Sequence, residues 1–138
     1  MHCKYVGLRQ PDGTCLVTRV DTTRVARLIV LSLPIGHGHR LITFPLADLY
    51  PEAAPFKWGI KSTESLSLAR TLLRDMLNDC PPEEYIAERY LCHVVRYLPY
   101  DGWEIDWSDV WQWWVENRRD ESAAMLRQID GWRADLDG

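Results

Sequence analysis

The residues with the clearest capacity for chemistry crowd toward the end of the chain. Trp103, Trp107, Trp111, Trp113 and Trp114 fall within twelve residues, with Asp109, Glu116, Asp120 and Glu121 among and just after them. Indole rings offer large apolar area, and carboxylates steer a basic partner, so this mixture suits a protein-binding hot spot. On a helix Trp107, Trp111 and Trp114 share one face and can serve as core, whereas Trp113 stands about 100° from Trp114. At least one ring is therefore expected at the edge of the buried stripe or in solvent. A helix packed back on its own domain and a helix presented to a partner both remain open, and a long helix can do both.

Other constellations carry less. His37-Gly38-His39, with Cys92 and His93 as further ligands, has the residue types of a metal site. Zinc needs three or four ligands in fixed geometry, and two histidines beside glycines are as easily a polar turn. Cys92 and His93 point to different faces of a predicted helix, so one should pack and the other face water. No GxSxG, HExxH, GxxxxGK[ST] or GxGxxG occurs, and no cofactor, metal or enzymatic activity is expected. Lys57, Lys61, Ser62 and Thr63 stand at a predicted helix N-terminus, where unpaired N–H groups favour an anion. With Arg19, Arg24, Arg27 and Arg40 they could form a basic face, against the plainer reading of a capped helix with solvated charges.

Charge divides these possibilities along the chain. Residues 1–60 carry seven Lys/Arg against four Asp/Glu (+3), residues 61–99 five against six (−1), and residues 100–138 four against ten (−6). Six of the seven tryptophans lie in that last, acidic stretch. Duplex binding rests on cations that neutralise phosphate, so the C-terminal part is a poor nucleic-acid surface. At 138 residues with 46% apolar composition, the chain is long enough to bury one core without disulfides. The four cysteines lack CxxC spacing, no apolar signal core follows Met1, and no apolar run is long enough to span a bilayer. A cytoplasmic protein with reduced thiols is expected.

The elements that must position these residues read as an α+β domain. Residues 3–8 and 15–20 alternate as strands around Pro11-Asp12-Gly13-Thr14, whose Asp-Gly pair suits a hairpin. Residues 27–33 and 40–44 add two more apolar, β-branched runs, giving a small antiparallel sheet of three to four strands. Three prolines and Gly59 argue against regular structure over 45–61. Ser62 can cap a helix whose apolar positions Leu66, Ala69, Leu72, Leu73, Met76 and Leu77 recur with a 3.6 period, ending near Asn78–Cys80. Pro82, Glu83 and Glu84 open a second helix with Ile86, Tyr90, Leu91, Val94, Val95 and Leu98 on its buried side. The helical hairpin should pack on the sheet. A short strand over 103–107 and a long final helix capped by Ser108 complete the reading, with a domain at 1–106 and an acidic helical extension at 107–138.

Phe56-Lys57-Trp58-Gly59, the Ser62–Leu77 helix with Leu66-Ser67-Leu68-Ala69 and Asp75, and Val94-Val95-Arg96-Tyr97-Leu98-Pro99-Tyr100-Asp101-Gly102-Trp103 together resemble an uncharacterised family of small prokaryotic domains carried on plasmids, phages and integrated elements. The resemblance covers about residues 1–106. The chain departs from the family pattern after Trp58-Gly59, where Ile60-Lys61-Ser62-Thr63-Glu64 replaces the usual Gly/Ser/Pro-rich linker. The resemblance implies a compact accessory protein of a mobile element and assigns no activity.

Taken with the acidic tryptophan cluster, it leads to the expectation of a non-enzymatic, anti-CRISPR-like antidefence inhibitor. Such a protein would occupy a basic nucleic-acid-binding surface of its target. Self-association through the C-terminal stripe is a companion expectation. The alternative is a nucleic-acid-binding regulator that uses the basic N-terminal face.

Overall fold

The computed structural model describes residues 2–24 and 39–118. The apolar run at 27–33, His37, and the acidic stretch with Asp120 and Glu121 that continues to Leu136 lie outside the described residues.

The chain begins with a hairpin. Strands β1 (His2–Arg9) and β2 (Cys15–Arg24) pair antiparallel, in register from His2 opposite Thr22 to Arg9 opposite Cys15. The turn is made by Gly13, whose φ of 90° a side chain would resist, and by Asp12, which accepts the Thr14 amide at 2.9 Å. Strand β3 (His39–Pro45) pairs with β2. The short strand expected near Trp103 is β4 (Gly102–Asp106), and it returns to pair with β1. The sheet is wholly antiparallel in the order β3-β2-β1-β4, which agrees with the expected α+β class.

Side-chain alternation sets the two faces of the sheet. Tyr5, Val17 and Trp103 are buried on one side, and Cys3, Arg19 and Asp21 share their parity. Against this side pack α2 (Thr63–Met76) and α3 (Glu84–His93). Ser62 caps α2 as expected, its hydroxyl accepting the Ser65 amide at 3.1 Å. Leu68, Ala69, Leu72, Leu73 and Met76 are buried on α2, and Ile86, Ala87, Tyr90 and Leu91 on α3.

Three local expectations are corrected. Residues 45–61 do contain regular structure, a single turn α1 (Leu46–Leu49) followed by a 3-10 turn over Pro51–Ala53. Pro45 precedes α1 and Pro51 opens the 3-10 turn, positions where a missing N–H costs nothing. Helix α3 stops at His93 rather than running to Leu98, because Val94 leaves helical geometry and Val95–Tyr97 tighten into a 3-10 turn before Pro99. The last helix, α4, starts at residue 107 and is described to residue 118. Asp106, not Ser108, therefore stands at its capping position.

The two motifs behind the family resemblance meet in space. Trp58, 1% exposed, donates its indole N–H to the carbonyls of Pro99 at 2.9 Å and Tyr100 at 3.2 Å. Trp103 meets the Trp58 ring edge-on at 5.6 Å. Gly59, at φ 78°, donates its amide to Val95. The loop before α2 is thereby fastened to the turn before β4, which fixes where α4 departs.

Candidate binding surface

The most heavily connected polar group in the described structure is the Asp75 carboxylate. It lies one residue before the end of α2, with a side chain only 3% exposed. Tyr5 donates to Oδ2 at 2.8 Å, Tyr50 to Oδ1 at 2.7 Å, and Arg19 Nη1 to Oδ1 at 2.6 Å. Tyr5 and Arg19 are opposed in the β1–β2 register, so one rung of the sheet aims both at the helix. Tyr50 arrives from the turn after α1. A buried carboxylate is tolerable only when paired and hydrogen-bonded, and this one is both.

The surroundings respond electrostatically. Burial first and the Asp75 charge second raise the ionisation of Tyr5 far above the usual phenol range. Burial and the hydrogen bond to Asp75 raise that of Tyr50. Burial disfavours the charge on Arg19, but Asp75 and Asp21 outweigh it and hold the guanidinium protonated. Desolvation, helped by the hydrogen bond to Asp21, pushes the Cys3 thiol up to about 12. These groups supply fixed charges and hydrogen bonds, and the thiol and phenols stay protonated at neutral pH.

Beside this network opens a cleft of about 450 Å³ lined by Cys3, Arg19, Asp21, Asp75, Met76 and Trp107. Trp107 is the first residue of α4 and also the first rung of an aromatic ladder that runs from exposed Trp107 and Trp111 to half-buried Trp114. Its ring stacks on Trp111 at 5.7 Å with 7° between planes, and Trp111 meets Trp114 at 5.3 Å. Arg118 closes the far end, its guanidinium 4.7 Å from the Trp114 ring centroid. Trp107 and Trp111 are 37% and 42% exposed, and Asp109 and Glu116 are exposed elsewhere around the same helix.

Of the three rings with a core-facing option, Trp114 is half-buried against the core, whereas Trp107 and Trp111 are turned outward. Val110 is fully buried, and Trp113 packs edge-on against Tyr90 with centroids 4.7 Å apart. Asn117 completes that inner side by bonding the Trp113 carbonyl. Because β4 passes directly into α4, the strand sets the helical phase. Steps of three and four from Val110 reach Trp113 and Trp114, both half-buried against the core, leaving 107 and 111 on the outer arc. Trp113 is thus the structural member of the cluster, and Trp107 and Trp111 are the presented ones.

The other sequence candidates are dispersed. Lys57, Lys61 and Thr63 are exposed at the start of α2, with Ser62 half-buried. Ser62 is engaged in capping, and Thr63 donates to Glu64 at 3.1 Å. The Glu64 carboxylate itself bonds its own backbone N–H, which holds it ionised below the usual carboxylate range. That helix terminus therefore already carries an anionic group. Cys92 is half-buried, while His93 is exposed, its ring centroid 6.0 Å from that of Trp113. Among the described residues no three metal-binding side chains come together, and no helix is long and apolar enough to cross a membrane.

The family model for a family of unknown function, DUF6166, matches residues 5–117. The chain belongs to that family. The DUF6166 match runs past residue 106 and takes in Trp107, Trp111, Trp113 and Trp114 as well as Tyr5, Arg19, Tyr50 and Asp75. No curated protein and no solved structure shows significant similarity to the chain.

The Asp75 network was not legible as a site in the sequence, although a signal for it exists. On β2 the core-facing parity runs Cys15, Val17, Arg19, Asp21, which places two charges on an apolar face. Charges there demand buried partners. The tyrosines that complete the set lie at positions that read simply as apolar.

Proposed function

We propose that the protein is a non-enzymatic binding module that docks through the Trp107–Trp111–Trp114 ladder onto a basic surface of another protein. The observation that carries this reading is the outward, stacked pair Trp107–Trp111 at the head of the ladder, on a helix that also exposes Asp109 and Glu116. Large exposed indoles become fully desolvated only against a partner, and such rings are the residues whose loss costs about 2 kcal/mol or more in interfaces. Carboxylates at the rim select a cationic partner and speed its approach. A second copy of the chain would bring like charges together, so a basic heterologous surface fits better than self-association.

In its specific form the proposal is an antidefence inhibitor of a mobile element. Its acidic, aromatic helix would compete with nucleic acid for a Lys/Arg surface on a host defence complex. The motif resemblance supports the mobile-element setting, and the charge asymmetry supports the mode of competition. The rival reading, a nucleic-acid-binding regulator with a basic N-terminal face, loses Arg19, which is engaged by Asp75 and Asp21.

Affinity capture of the tagged full chain from cells carrying candidate defence systems tests this. Point variants are required, because Val110 and Trp113 belong to the packed interior and removing the helix would disturb the fold. A basic, nucleic-acid-binding component should be captured, be lost with Trp111→Ala, and weaken with Asp109→Asn/Glu116→Gln and with rising salt. A partner retained by both variants would overturn the ladder as the binding face.

A further inference from the structure

We propose that the cleft beneath Trp107 is a receptor for one basic side chain, an arginine or lysine projected by the partner that docks on the ladder. The proposal depends on the ladder reading for the source of the cation, and on the cleft's own residues for its chemistry.

Three observations converge. The first is shape, a cavity of about 450 Å³ opening directly at Trp107, large enough for a guanidinium-tipped side chain. The second is charge. Among the described residues of the lining, Asp21 and Asp75 face a single cation, Arg19, which leaves one negative charge in excess there.

Arg19 serves the two carboxylates unequally. Its Nη1 bonds Asp75 at 2.6 Å, whereas its Nε stands 3.4 Å from Asp21 and makes no hydrogen bond. The Asp21 side chain is nevertheless only 13% exposed. Its hydrogen bond comes from the Cys3 thiol, a weak and uncharged donor. A carboxylate largely removed from water thus keeps lone pairs on which a cationic donor gains most.

The third observation is the aromatic wall. Trp107 lines the cleft, and a planar guanidinium can lie against an indole while donating to a carboxylate. The same ladder already holds such a contact at its other end, where Arg118 sits on Trp114. An anion would meet the excess carboxylate, and a neutral apolar group would leave Asp21 with the Cys3 thiol, a weak donor, and with its charge unneutralised. A cationic side chain satisfies both the charge and the ring.

NMR titration of the full chain with Nα-acetyl-arginine methylamide tests this, with the uncharged citrulline analogue as the matched control. The arginine probe should shift the Trp107 indole N–H and the amides of Cys3, Asp21 and Ser108, and the citrulline probe should not. Asp21→Asn should weaken the arginine probe about tenfold. Equal shifts from both probes, shifts mapping elsewhere, or no response at tens of millimolar would overturn the proposal. The probe comparison on the unaltered chain keeps the test decisive even where Asp21→Asn loosens Arg19. Trp111→Ala separates the two readings, since it should abolish partner capture yet leave the arginine probe bound. Loss of the probe response with capture intact refutes the receptor alone.

Discussion

The Tyr5 hydroxyl donates to Asp75 Oδ2 across 2.8 Å, joining the first strand of the sheet to the end of α2. With Tyr50 and Arg19 on the other carboxylate oxygen, this contact makes Asp75 the point where sheet, helix and the loop after α1 are fastened together. A buried, fully engaged carboxylate favours one packing, because three donors from separate elements must meet it at once.

Removing it should be costly. Asp75→Ala leaves the Arg19 charge and two phenol hydroxyls without their acceptor, and breaking a buried pair in this way costs about 3 kcal/mol or more. Asp75→Asn keeps an acceptor for the tyrosines and should lose less. Urea unfolding of the two variants provides the comparison, and an Asp75→Ala midpoint equal to wild type would contradict the network's role.

The network also sets a response to alkali. Cys3 is raised from its ordinary value of 9.0 to about 12, and Tyr5 and Tyr50 are raised as well, chiefly by burial. Between pH 9 and 12 the unfolded chain releases the Cys3 proton while the folded chain retains it, so stability falls as pH rises across that window. The contribution is intact below pH 9. Melting temperature should decline through this range, and Cys3→Ser should decline less steeply. At pH 8, alkylation mapped by mass spectrometry should mark exposed Cys80 well before Cys3.

Gly7 lies directly beneath the Trp103 indole, and a β-carbon there would fall inside the ring's van der Waals envelope. The neighbouring atoms belong to a rigid ring that is itself buried against Trp58. Gly7→Ala should therefore cost about 1–3 kcal/mol. Thermal unfolding checks the cost, and a relieving effect of Trp103→Leu in the same background identifies its source.

Neighbouring tryptophans should behave in opposite ways. Trp113→Ala empties the space beside Tyr90 and should destabilise by about 2 kcal/mol or more. Trp111→Ala trims an exposed ring and should leave stability within about 0.5 kcal/mol of wild type. Unfolding curves for both decide the matter, and a Trp111→Ala cost as large as that of Trp113→Ala would place the ladder in the interior.

The hairpin around Asp12-Gly13, the capped α2 and the strand at Trp103 were legible because each is announced locally, by a turn pair, a capping hydroxyl or an apolar period. The orientation of α4 was not. Periodicity places Trp107, Trp111 and Trp114 on a common arc but carries no information on which arc faces the sheet. That choice is made by Val110 entering the core and Trp113 packing against Tyr90, a tertiary fact. The Asp75 network was hidden for a related reason, since its members are separated by up to 70 residues and converge only through strand register.

Strand β4 ends at Asp106 and α4 begins at the next residue, so there is no hinge between sheet and ladder. The rungs are held at a fixed height and angle by the same backbone pairing that joins Lys4 to Asp106 and Leu8 to Gly102. A partner therefore meets a template rather than a tether. Little ordering entropy on this side is subtracted from binding, and recognition proceeds close to rigid-body docking. Such a surface is unforgiving of a mismatched outline, which makes its shape, as much as its charge, a criterion of selection.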